Sequence, residues 1–298
     1  MKLSTQNHFL SDYFGFERSI EILKDVGYDT VDMSLFCMSD NPKSIFLTPE
    51  YRNAAEKLKA HADKIGIDFN QAHAAFMYNW KKAGEVEDRV IPDNIRAFEI
   101  CSILNIKHIV VHPLPCIPYY GHEDEVKALN MKYYRTLEPY AREYGVKIAL
   151  ENMAATEPKW GHLVPGSCGS PEIYIDWFDT LDSDQFVCLL DVGHAAIAGI
   201  EPQDFIRALG HDRLKGLHIH DNDYRGDRHA LPGMGKFDWE AIMKALSDID
   251  YTGEFTFEAD SFLGNFSREF KPEAAAFMAK IGRHLLSRYD YYESLKNK

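Results

Sequence analysis

The sequence lacks the features that place a chain in a membrane, on a nucleic acid or in an oxidising compartment. None of its 298 residues belong to an apolar run near the roughly 20 residues needed to cross a bilayer. Its first residues, MKLSTQNHF, have no apolar core and no small-residue cleavage site, so no secretory signal is expected. Only five cysteines occur: Cys37, Cys101, Cys116, Cys168 and Cys188. They are odd in number, scattered and without a CxxC pair, which argues for reduced thiols in a cytoplasm. No block of five or six like charges suggests a charged tail. Lys and Arg number 33 against 46 Asp and Glu, for a net charge of −13. Phosphate contacts need clustered positive charge, so nucleic acid is not an expected partner, and nor is a membrane.

What remains is a globular composition, 45% apolar and 27% charged, with one pattern recurring along the chain. A short β-rich apolar run is followed by an amphipathic helical stretch, then by another run. The runs are residues 2–6, 30–35, 67–73, 108–112, 147–152, 186–191, 214–220 and 252–258. Helical periods cover 17–26, 49–65, 92–104, 123–144, 239–249 and about 272–295, and Gly27, Gly66 and Gly145 stop helices just before strands. Strand, helix and strand repeated eight times predict parallel pairing with right-handed crossovers. An open doubly wound sheet is the alternative, but no glycine-rich phosphate loop follows the first strand. The expected architecture is therefore α/β, a single (β/α)8 barrel domain over residues 1–298, a size ordinary for that fold.

The positions of the chemically active residues carry the functional argument. The third predicted strand ends in Gln71-Ala72-His73 and the fourth in Val111-His112-Pro113. The fifth ends in Glu151-Asn152, and the sixth in Asp191-Val192-Gly193-His194. The seventh ends in His218-Ile219-His220-Asp221-Asn222, and the eighth in Phe257-Glu258. In a barrel these ends converge on one mouth. Singly, each has an ordinary reading: a hydrogen-bonded histidine, a paired carboxylate, or a helix cap at Asp191. Together they aim a His, Asp or Glu from six consecutive strands at one place. Clustered carboxylates on apolar strand ends would resist ionisation, and a divalent cation reverses that cost. Mixed imidazole and carboxylate ligands suit Mn, Zn or Co, with room for more than one ion. After the seventh strand, Asp227-Arg228-His229 offers an Asp-x-His pair, followed by LPGMG.

The segments QAHAAF, VVHP, LEN, LDVGHAAIAG, HIHDN, DRHALPGMG and FTFE resemble the xylose isomerase-like barrel superfamily. That superfamily includes sugar epimerases and isomerases as well as endonuclease IV repair enzymes. The motifs run over about two-thirds of the chain, from the third strand to the eighth, and are specific for the superfamily rather than for one activity. The epimerase branch implies one metal held by Glu151, Asp191, His218 and Glu258, with His218 preferred to His220 because the family's histidine stands three before an acidic residue, here Asp221. It also implies that Glu151 and Glu258 are catalytic, moving a proton on substrate carbon through a metal-stabilised cis-enediolate. The endonuclease branch implies a larger set: His73, His112, Glu151, Asp191, His194, His218, Asp227, His229 and Glu258. His73, His112, His194, His220, Asp227 and His229 are thus either further metal ligands or substrate contacts.

The expected activity is a metal-dependent sugar or sugar-phosphate isomerase or epimerase of carbohydrate metabolism, in a chain that the family leads one to expect as a homodimer. Phe9, Trp80, Trp160 and Arg225 are expected substrate contacts, with Phe36 and Phe76 as further aromatics near the mouth, and residues 153–170 are an expected lid. A lyase on keto-sugars or glycosides would use the same groups. A multinuclear-zinc abasic-site phosphodiesterase would use the full ligand set, but the strand-end loops are poor in Lys and Arg. A non-catalytic sugar-binding barrel would leave the two glutamates without a task.

Overall fold

Eight of the apolar runs become parallel strands in the computed structural model, which describes residues 1–76, 84–259 and 261–296. In chain order the strands are β1 (Leu3–Gln6), β2 (Thr30–Ser34), β3 (Asp68–His73), β4 (His108–Val110), β5 (Lys147–Glu151), β6 (Ala154–Thr156), β7 (Leu163–Pro165), β8 (Phe186–Asp191), β9 (Leu214–His218) and β10 (Phe255–Phe257). Their order in the large sheet is β10-β1-β2-β3-β4-β5-β8-β9. A parallel bridge between Ile219 and Phe257 joins the two ends, with Ile219 N donating to Thr256 O at 2.9 Å and Glu258 N to Ile219 O at 3.0 Å. The sheet is thus a nearly closed (β/α)8 barrel with helices between the strands.

Helices cover the outer face of the strands and the packed barrel interior covers the inner one, so the strands are buried on both faces rather than alternating between core and solvent. The helical periods appear as Phe16–Asp25, Tyr51–Ile65, Ile91–Leu104, Glu123–Glu143, Trp239–Asp248 and Lys271–Lys296. Two further helices, Pro171–Leu181 and Pro202–Arg213, each begin with proline, whose fixed φ suits the first turn. Gly66 ends its helix in the left-handed conformation (φ +70°), where a side chain would be strained. Two strands stop two residues short of the apolar pattern. β4 ends at Val110 because Pro113, which has no N–H, turns the chain away; after β9 the chain pairs across to β10 instead of on along β8. β10 begins at Phe255, after a turn at Asp250, whose φ is +52°.

The barrel interior is mixed. Val110, Ala149, Val187 and Leu189 form an apolar inner cluster. Beside it runs a polar seam, in which Ser4 Oγ donates to Asn70 Oδ1 at 2.7 Å and Asn70 Nδ2 to Thr256 Oγ1 at 3.0 Å. Among the described residues no helix is long and apolar enough to cross a membrane.

The last helix seals β1 and β10 by close approach. A Cβ on Gly282 would stand 2.5 Å from Leu3 Cδ1 and 2.9 Å from Phe257 Cε2, both fully buried. Gly282→Ala is therefore expected to destabilise the fold by about 1–3 kcal/mol through overpacking. Urea unfolding of the variant beside the parent measures this, and an unchanged midpoint would show that the helix does not sit this tightly.

Candidate metal centre

The barrel delivers its reactive groups by ending strands at the same level. Glu151 and Asp191 are the last residues of β5 and β8, His218 is the last of β9, and Glu258 follows β10 directly. All four are buried, and their ligand atoms lie within 4.8 Å of one another. His218 Nδ1 sits 2.8 Å from Glu151 Oε1 and 3.0 Å from Glu258 Oε2. Asp191 Oδ1 caps the following short helix through the His194 N–H and also faces His220 Nε2 at 3.0 Å. Its capping and its place in the cluster therefore coexist.

Two further groups flank this one. His73, His112 and Glu151 form the first, with His73 Nε2 3.1 Å from His112 Nε2 and His112 Nε2 2.7 Å from Glu151 Oε2. His194, Asp227 and His229 form the second: Asp227 Oδ2 lies 3.3 Å from His194 Nε2 and 3.0 Å from His229 Nε2. His220, His229 and Glu258 also come within ligand distance, and the rings of His220 and His229 stack at 4.3 Å. In three rings Nδ1 meets a backbone carbonyl: Ala74 O for His73 (3.1 Å), Asn152 O for His194 (2.9 Å) and Glu258 O for His229 (2.9 Å). A carbonyl only accepts, so each Nδ1 carries a proton and Nε2 is the inward atom. This is how a protein fixes the tautomer of a metal-ligating histidine.

The electrostatics fit a cation. Burial alone would raise the Glu151 carboxyl, but His218 and His112 more than offset it and hold it well below the usual range. Glu258 is lowered in the same way against burial, by His218 and His229. Burial would lower His218, yet Glu258 and Glu151 push it well above its ordinary value. His194 and His229, likewise opposed by burial, are pushed up to about 10 and about 11 by Asp191, Asp227 and Glu258 among others. His73, buried and beside His112, is pushed down to about 4. Imidazolium protons thus balance the carboxylates. The balance is imperfect, because the buried oxygens Glu151 Oε2 and Glu258 Oε2 make no hydrogen bond despite imidazole nitrogens 2.7 and 3.0 Å away. Oxygens so placed have the approach distance of an ion pair without the angle of an N–H donor. The donor set, nitrogen and carboxylate oxygen, fits a divalent ion of the Zn, Mn or Co type.

A cavity of about 430 Å³ opens above these groups. Phe9, Phe36 and Phe76 wall one side, Met153 and Arg228 another. Of the residues expected to touch substrate, Phe9 does line it. Trp160 does not: it is 70% exposed on the turn of the antiparallel hairpin β6–β7, which is what residues 153–170 form, and only Met153 at its base reaches the cavity. Arg225 is not among the lining residues either; Arg228 takes that place. Trp80 lies outside the described residues.

Sequence reasoning missed three supporting residues. Gln6, at the end of β1, donates Nε2 to Glu258 Oε1 at 2.8 Å. Asn152 clamps β8, giving Nδ2 to Asp191 O at 2.9 Å and accepting Asp191 N at 2.8 Å. The buried Asp221 accepts from Gly233 N, Lys236 N, Phe237 N and Trp239 Nε1 at 2.9–3.3 Å, and so folds the loop that carries Asp227 and His229 back over the mouth. Asn152 left a signal as the residue directly after Glu151 in the LEN segment, and Asp221 as the acidic residue three after His218; Gln6 left none.

A testable linkage follows from His218. Its Nδ1 proton occupies the point where an ion would bind, and it is retained at pH 7 because the group is raised. Zinc binding is therefore expected to release at least one proton per chain and to tighten as pH rises below the raised value. Calorimetry in two buffers of different ionisation enthalpy measures the release; binding without proton exchange would remove His218 Nδ1 from the ligand set.

Comparisons with known proteins show the chain's family and fold. A probable endonuclease 4 of Geotalea daltonii is 27% identical over 203 residues, covering 63% of this chain and 68% of that protein. An inosose isomerase of Bacillus licheniformis is 26% identical over 167 residues, 52% of this chain and about half (54%) of that protein's length. A crystal structure of a D-tagatose 3-epimerase-like protein superposes with a TM-score of 0.74 at 20% identity, covering 98% of this chain and 99% of the other, a likeness of fold. The xylose isomerase-like TIM barrel family matches residues 20–281, and the chain belongs to that family.

Proposed function

We propose that the protein is a divalent-metal-dependent isomerase or epimerase of a small sugar or cyclic polyol, with Glu151 and Glu258 as its proton-transfer groups. One observation carries the reading: two buried carboxylates converge on a single imidazole nitrogen, His218 Nδ1, and each keeps one oxygen, Glu151 Oε2 and Glu258 Oε2, without a hydrogen bond. A reaction that removes a proton from carbon and returns it elsewhere needs two such groups. When bound at Glu151, Asp191, His218 and Glu258, the ion supplies a Lewis acid for a carbonyl and its neighbouring hydroxyl.

The chain's own groups do the rest. Gln6 fixes the orientation of Glu258, and His112 stands against the free side of Glu151. The aromatic wall of Phe9, Phe36 and Phe76 offers apolar faces to a ring's C–H groups and limits water at the reacting carbon. His73, His194 and His229 present imidazole nitrogens to substrate hydroxyls. The cavity's size matches a monosaccharide-scale ligand. Support also comes from a relative named as an inosose isomerase.

The second reading, a multinuclear phosphodiesterase, is favoured by the four ligand groups, which are linked to one another through Glu151, Glu258 and His229. Against it stand the net charge of −13 and a cavity lined, among the described residues, by one arginine and no lysine.

Incubating the metal-loaded protein in D2O with a panel of ketohexoses and inososes is expected to show solvent deuterium entering one substrate carbon. Glu258→Gln with its metal content verified should slow that exchange by about 10²–10⁴-fold. A Gln variant that exchanged at the parental rate would remove Glu258 from proton transfer.

Elemental analysis separates the two readings. About one tightly held ion per chain is expected, retained when Asp227 and His229 are both replaced by Ala. Near three zinc equivalents, together with cleavage of abasic duplex DNA, would overturn the sugar reading.

A further inference from the structure

We infer that Asp32 is a positioning residue for the ligand His218: its carboxylate takes the Nε2–H of the ring and so presents Nδ1 to the ion. The inference rests on the metal reading above and goes beyond its ligand set.

Asp32 lies on β2, inside the barrel and beneath the mouth, with no exposed surface. A carboxylate buried there is costly without a cation or several donors. Among the described residues it ion-pairs with no lysine or arginine. Its sole such partner is His218, whose Nε2 stands 3.4 Å from Asp32 Oδ2. Gln71, from β3, donates its Nε2 to the same oxygen at 2.9 Å and so fixes the carboxylate's plane, while Asp32 Oδ1 and His218 Nε2 make no hydrogen bond, which leaves the 3.4 Å ion-pair approach as the contact between acid and ring.

His218 is fully buried as well, and its ring lies parallel to that of His73, 5.7 Å away with 8° between the planes. The ring's two nitrogens face three acids on opposite sides. Nδ1 faces Glu151 and Glu258 at the mouth; Nε2 faces Asp32 below. An imidazole that gives one nitrogen to a metal must keep its proton on the other, and inside a dry barrel that N–H needs an acceptor. Asp32 is the acceptor in reach. It selects the Nε2–H tautomer, holds the ring's plane and raises the electron density at Nδ1. Gln71, Asp32 and His218 thus form one line of contacts running from β3 through β2 to β9 and ending at the ion's position.

The test uses zinc alone as probe, with Kd measured by chelator competition on four proteins: the parent, Asp32→Leu, His218→Gln and the double variant. Circular dichroism and thermal melting of the metal-free forms report folding separately. Asp32→Leu is expected to weaken zinc by about 10–100-fold in the parent and by less than about twofold in the His218→Gln background. Asp32→Asn, whose amide oxygen still accepts, should lose less, and ¹⁵N NMR of the zinc-loaded parent should place the His218 proton on Nε2. The inference is overturned if folded Asp32→Leu binds zinc like the parent, or if it loses affinity equally in both backgrounds, which would mark a merely structural acid. If Asp32→Leu does not fold, the same cycle with Asp32→Asn decides. A parent that binds no zinc would instead bring down the metal reading, and this inference with it.

Discussion

His218 Nδ1 stands between two buried carboxylates, 2.8 Å from Glu151 and 3.0 Å from Glu258, and the architecture of the mouth depends on that contact. Like charges so close in a desolvated place repel strongly unless a positive charge lies between them. In the metal-free chain the imidazolium proton supplies it. A divalent ion supplies it better, because it presents charge in several directions and so reaches the oxygens of Glu151 and Glu258 that no N–H reaches. The proton and the ion are competitors for one position, which ties metal affinity to acidity.

The barrel makes such crowding achievable. Each strand is held in register by parallel pairing, for example Asp191 against His218 and Glu151 against Leu189, so the reactive side chains emerge at a common height. Strands alone would leave the outer ligands unplaced. Asp227 and His229 come from a long loop, which the buried Asp221 folds by collecting four N–H donors. A side chain at Gly235 would collide with that carboxylate, its Cβ 2.1 Å from Oδ1. Gly193 plays the matching part for His220: a Cβ there would lie 1.9 Å from the ring. The glycines of LDVGH and of LPGMG thus serve the packing of site side chains.

The fold and the inner ligands were legible because both depend on short-range periodicity. Eight apolar runs separated by helical periods specify parallel strands, and a His, Asp or Glu at the end of each run then falls at the mouth without any knowledge of loops. The family resemblance, with its histidine three before an acidic residue, pointed to His218, which falls in the four-residue group, whereas His220 faces Asp191. Trp160 and Arg225 were harder, since both sit on turns whose direction depends on hairpin geometry and on hydrogen bonds to distant residues. Trp160 ended in solvent for that reason, and Arg228 rather than Arg225 faces the cavity. Gln6 and Asp32 left no signal at all. Each is a polar residue among others in a short buried strand, and its role exists only because β1, β2, β9 and β10 meet in a closed barrel.

The polar seam shows what the site demands of the fold. Barrel interiors are ordinarily filled by branched apolar side chains. This one holds Ser4, Thr30, Asp32, Asn70, Gln71 and Thr256, all buried, and two of their atoms, Thr30 Oγ1 and Asp32 Oδ1, lack partners. Each unsatisfied group costs about 1–3 kcal/mol relative to a well-packed apolar replacement. Such a seam lowers stability, so its presence is not explained by folding. It is explained if a charged, oriented ring must sit at the mouth, because that ring needs a polar partner beneath it and the partner in turn needs others. The acid at the centre of the barrel is then the foundation on which the order of the reactive groups above it rests.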